Sequence, residues 1–124
     1  MNLPNGYQQV MPYLIVPRAA AFMAFVQTVF GATERMKVMR DESLIMHAEL
    51  QIGGSVIMLA DATEEYQQQN AGLFICVENC DETYKIAMDN GAECVMEPVN
   101  QDYGRSAGII DPFGNTWWVT SDVK

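Results

Sequence analysis

The sequence predicts an α+β fold built from two tandem βαβββ modules forming a cupped mixed sheet. Three observations predict it. A strand–helix–Gly word is written twice, each copy holds one helical pattern, and short strand-like runs separated by turn residues follow each helix. The first copy reads Tyr13-Leu14-Ile15-Val16, then a helical pattern, then Phe30-Gly31-Ala32. The second reads Leu73-Phe74-Ile75-Cys76-Val77, then a helical pattern, then Asn90-Gly91-Ala92. Gly31 and Gly91 lie 60 residues apart, near half of the 124-residue length, so the repeat is two copies of one unit rather than a solenoid.

Module one is placed at about residues 8–60. Its first strand is expected over Val10–Val16 and its helix over Arg18–Phe30. Phe22, Phe25, Val26, Val29 and Phe30 have the i, i+3, i+4, i+7, i+8 spacing of one buried helical face. Gly31 supplies the C-cap. Strands follow at Thr33–Met39, Ser43–Ile52 and Ser55–Ala60, with Gly53-Gly54 as the tight turn between the last two. The polar stretch 61–70 reads as a linker.

Module two is placed at about residues 71–121. A strand is expected over Gly72–Val77 and a helix over Cys80–Asn90. Asn79 is its N-cap, with Glu82 in the capping-box position. Cys80, Thr83, Tyr84, Ala87 and Met88 share the inner face. Strands follow at Glu93–Glu97, Gly104–Ile110 and Thr116–Thr120. Asp111-Pro112-Phe113-Gly114 reads as a turn, because Pro presets one dihedral and Gly permits a positive one.

Composition narrows the function. Hydrophobic residues make up 49% and charged residues 19%, the balance of an ordinary globular domain. A formal charge of −9 argues against nucleic acid, whose phosphates need basic partners, and against anionic membranes. Neither a signal peptide nor a bilayer-length apolar run is read. Three cysteines, an odd number, do not form a disulfide framework, and reduced thiols fit a cytoplasmic protein. Cys76, in an apolar run, is assigned to the core or to a spacer role. The chain has one His, which excludes a site of several imidazoles within one chain.

That residue, His47, is the first candidate. Alternation along its strand sends Met46, Ala48, Leu50 and Ile52 under the helix. Ile45, His47, Glu49 and Gln51 then fall on the uncovered face. His47 and Glu49, two apart, project side by side. They suit an acid–base pair, a polar anchor for a ligand, or two ligands of a metal; a solvated face or a dimer contact explains them equally well. Arg105, near the mouth of module two, suits a clamp on a carboxylate or phosphate, with a surface salt bridge as the alternative.

The doubled pattern and several of its words resemble the vicinal oxygen chelate superfamily of glyoxalase I, bleomycin and fosfomycin resistance proteins and extradiol dioxygenases. The words are Pro12-Tyr13-Leu14-Ile15-Val16, Val29-Phe30-Gly31-Ala32, Met46-His47-Ala48-Glu49-Leu50, Ile52-Gly53, Asn90-Gly91-Ala92 and Tyr103-Gly104-Arg105. Asp111-Pro112-Phe113-Gly114-Asn115-Thr116-Trp117 resembles the ending of PhnB-like, glyoxalase-related members. The resemblance implies paired sheets around a divalent metal, with ligands at about Met11, Met58, Gly72 and Trp118. A thioether, a glycine and an indole are not ordinary ligands for such a cation.

The resemblance therefore implies a member that binds a small molecule in an apolar cleft without the standard metal. Met11, Met58, Trp118, Gln51 and Arg105 are the ligand-binding candidates, and a homodimer is expected. The alternative is a metal-dependent lyase, isomerase or dioxygenase-like enzyme. It would use His47 and Glu49 for catalysis, with zinc, nickel, iron or manganese.

Overall fold

The structure is a computed structural model, and it describes residues 1–123. It divides into two compact units, the first of residues 1–27 and 31–70, the second of residues 28–30 and 71–123. The element order is a short 3₁₀ turn at Pro4–Gly6, β1 Tyr13–Val16, α1 Ala19–Phe30, β2 Thr33–Met39, β3 Ile45–Ile52 and β4 Ser55–Asp61. Then come β5 Gly72–Cys76, α2 Cys80–Asp89, β6 Glu93–Gln101, β7 Gly104–Ile110 and β8 Thr116–Ser121. Each module closes its own four-stranded mixed sheet, in the orders β1-β4-β3-β2 and β5-β8-β7-β6. In each, the outer strand that opens the module pairs in parallel with the strand that ends it.

In the first sheet, alternation sets one buried face, although Glu49, Val56 and Ala60 of the other parity are buried too. Leu14, Val16, Ala48, Leu50, Ile57 and Leu59 are buried, and they face the same side by register. The predicted apolar stripe of α1 is buried too, at Phe22, Phe25, Val26 and Val29. Gly31 caps that helix in the left-handed region, its N–H donating to the Gln27 carbonyl. The helix begins at Ala19 rather than Arg18, and no neighbouring side chain caps it. Asp61, at the end of β4, does so instead: its carboxylate accepts from Ala19 N at 2.8 Å and from Ile45 N at 2.7 Å. Asp61 is thus buried in β4, not the start of the polar linker.

Two further expectations change. β1 begins at Tyr13, which leaves Met11 outside the strand; the ladder starts where the Pro12 carbonyl accepts from Met58 N at 2.9 Å. On β3, Ile45 is buried and Met46 is 44% exposed, the reverse of simple alternation. A register shift causes it: Val38 pairs with His47 and Met39 with Ile45, so Met46 is an extra residue and parity inverts there.

In the second sheet, α2 lies against β6, β7 and β8. Asn79 caps it as read, its side chain accepting from Glu82 N. Cys80 and Ala87 are buried on its inner face. Cys76 is exposed rather than in the core, because it shares the open face of β5 with Phe74. Asp111 organises the turn before β8. Its carboxylate accepts from Phe113 N at 2.9 Å, Asn115 N at 3.0 Å and the Trp117 indole N–H at 2.8 Å. The word Asp111–Trp117 is therefore a folding element.

Candidate functional site

The open face of the first sheet carries the candidate site. Register places Tyr13 of β1, Met58 of β4, Glu49 of β3 and Met36 of β2 in one row across it. The next row holds Ile15 and Ala60, with His47 beside Val38. Tyr13, Met36 and Val38 are substantially exposed, whereas Glu49 is buried at 2%. This face is apolar, with one carboxylate sunk into it.

That carboxylate is the centre of a hydrogen-bonded chain. His47 Nε2 lies 2.8 Å from Glu49 Oε2, and the Tyr7 hydroxyl donates to the same oxygen at 2.7 Å. The other ring nitrogen of His47, Nδ1, lies 3.0 Å from the Tyr13 hydroxyl. Burial pushes the Glu49 carboxyl up, but the hydrogen bonds from Tyr7 and His47, and the charges of His47 and Arg35, outweigh it and hold the group below its ordinary value. Glu49 is therefore ionised and can only accept, so Nε2 carries a hydrogen. In a neutral imidazole Nδ1 is then a bare acceptor and the Tyr13 hydroxyl donates to it. Arg35 closes the far end. Its guanidinium sits 5.1 Å from the Tyr7 ring centroid and donates to the Asn5 carbonyl.

The other sequence candidates lie apart from this chain. Gln51 falls on the same face, but its amide donates to the Gly53 carbonyl at 2.7 Å and serves the turn. Trp118 lies on the open face of the second sheet, across from Phe74 on one side and Gly108 on the other. Its ring covers Gly108 so closely that an added Cβ would sit 2.5 Å from it, so glycine is what lets the indole lie flat. Arg105 has the opposite parity to Gly108 and runs to α2. There it grips Asp81 with two nitrogens at 2.6 and 2.9 Å and reaches Asn100 with a third at 3.1 Å. All of these acceptors belong to the protein, so the arrangement is the salt bridge rather than a waiting clamp.

A family model for the glyoxalase/bleomycin resistance protein/dioxygenase superfamily matches residues 6–119. The chain belongs to that superfamily. An uncharacterized protein of Mycobacterium bovis is 27% identical over 97% of this chain and 87% of its own length. The PhnB protein from Bacillus cereus is 16% identical with a TM-score of 0.71, over 92% of this chain and 99% of that one. The fosfomycin resistance protein FosX from Listeria monocytogenes is 19% identical with a TM-score of 0.74, over 94% of each chain. At such identities the structural likeness shows the shared fold.

The superfamily's divalent metal finds a poor donor set in this member. Met58 occupies the row where a fourth-strand carboxylate would be needed, and the carboxylate of that row, Glu49, stands one strand over on β3. Both nitrogens of His47 are already hydrogen-bonded within the protein. Among the described residues, no three His, Cys, Asp or Glu side chains converge. The residues present do not fit the metal.

Sequence reasoning singled out His47 and Glu49 but missed Tyr7, Tyr13 and Arg35 as their partners. Tyr13 was within reach: it lies on the first strand of the module with the parity of the open face. Tyr7 lies outside any regular element, so no periodicity marked it.

Proposed function

We propose that this superfamily member binds a small, partly aromatic or amphipathic molecule on the open face of its first sheet, without a divalent metal, and that it acts as a homodimer. One observation carries the reading: an apolar sheet face of Met58, Met36, Val38 and Ile15 surrounds a single polar cluster, Tyr13–His47–Glu49. Ligand sites commonly combine apolar walls with a few placed polar groups, and methionine adapts to varied shapes. The exposed Tyr13 hydroxyl is the polar group a ligand meets first.

Thermal shift tests the reading. The protein is screened against small amphipathic aromatic compounds and, separately, against zinc, nickel, manganese and iron(II) after chelator treatment. Stabilisation by one or more organic compounds in metal-free protein is expected, and Tyr13→Phe should weaken it. Stabilisation by the metals alone would overturn the reading and favour the metal-dependent enzyme. Sedimentation equilibrium checks the dimer.

A further inference from the structure

We propose that the Tyr13 phenol oxygen is an activated nucleophile, with His47 as its general base and Glu49 as the residue that orients and charges that base. Its partner would be a small molecule with an electrophilic acyl or sulfonyl centre. This goes beyond ligand binding, and it stands on the direction of the hydrogen bonds.

Glu49 fixes the hydrogen of His47 on Nε2, 2.8 Å away, which leaves Nδ1 to take a proton from the Tyr13 hydroxyl at 3.0 Å. A proton arriving on Nδ1 makes an imidazolium beside a buried carboxylate, and the attraction between them favours the transfer. Exposure rises along the chain. The side chain of Glu49 is 3% exposed and that of His47 25%, while Tyr13 is 46% exposed. Only the tyrosine end is widely open to a small molecule. The geometry is that of a carboxylate–imidazole–hydroxyl triad, with phenol in place of an alcohol.

The step balances. Tyr13 Oη forms a bond to the electrophilic centre, the bond to the leaving group breaks and that group departs with its electron pair. The phenol proton passes to His47 Nδ1 and then to solvent. Burial, opposed by the positive charge of Arg40 and aided by the negative charge of Glu49, holds the Tyr13 phenol above its ordinary value and so protonated at rest, and bond formation and proton loss go together.

Labelling with phenylmethanesulfonyl fluoride at neutral pH tests the proposal, with adducts mapped by peptide mass spectrometry. Exposure alone ranks Tyr13 last of three, since Tyr103 is 63% and Tyr66 51% exposed. General-base assistance typically gives ~10²–10⁴-fold, so Tyr13 should label at least about tenfold faster than Tyr103. His47→Gln and Glu49→Gln should bring Tyr13 down to the Tyr103 rate, and Tyr13→Phe should remove the adduct. A native circular-dichroism spectrum and a cooperative urea transition report that a variant is folded, and Tyr103 and Tyr66 serve as rate references; where Glu49→Gln is not folded, His47→Gln decides. The proposal is overturned if Tyr13 labels no faster than Tyr103, or if it keeps its rate in folded His47→Gln. Neither result depends on whether the face binds a ligand, so the two readings fail separately.

Discussion

Asp61 holds two chain segments at once. One oxygen accepts from the first N–H of α1 and the other from the first N–H of β3, both buried. Both donors are buried, and a buried donor left unpaired costs about 1–3 kcal/mol. Asp61→Ala should therefore lower stability by about 2–4 kcal/mol in urea unfolding. Asp61→Asn should recover little, because its amide nitrogen would face one of the two donors. Glu49 differs in kind. It is buried among donors that are themselves side chains, so it serves the open face rather than the backbone. Replacing it should matter more for chemistry at Tyr13 than for the ladder of β3.

At the scale of elements, the turn from Asp111 to Asn115 shows how one carboxylate shapes a segment. Asp111 gathers two backbone N–H groups, the Asn115 amide nitrogen and the Trp117 indole, while the Asn115 side-chain oxygen Oδ1 accepts from Ala71 N at 3.0 Å. The turn thereby ties the start of β8 to the residue before β5. Asp111→Ala should cost about 2–4 kcal/mol, seen as a lower thermal midpoint, and should shift the emission of the buried Trp117. The helices contrast in the same way. α2 is capped by its own neighbour Asn79, whereas α1 relies on a residue from β4. The first cap was legible in the sequence, and the second was not.

For the whole molecule, acid is the informative perturbation. The Glu49 carboxyl titrates below its ordinary value of 4.5, and those of Asp41 and Asp81 below 3.8. The unfolded chain therefore binds these protons more readily than the folded one, so stability rises with pH across that range and is lost as pH falls through the folded values. Between neutrality and the sequence pI of about 4.3, the loss of net negative charge relieves self-repulsion and works the other way. Below that point both effects destabilise. Urea midpoints should fall as the pH drops below the ordinary carboxylate values of 4.5 and 3.8, and more gently in Glu49→Gln.

The sequence by itself determined the doubled βαβββ order, most strand and helix positions, the Gly31 and Asn79 caps and the turn at Asp111. Each is local, because periodicity, capping and turn chemistry act within a few residues. It also placed His47 and Glu49 on the open face, since parity holds from His47 to Ile52. Tertiary structure alone decided the rest. The bulge at Met46 turned Ile45 inward, Asp61 became the cap of a distant helix, and Arg105 was spent on Asp81. Tyr13 was brought to His47 from 34 residues away. Such contacts depend on strand register and on which buried donors lack a partner, and no local pattern of residues records either one.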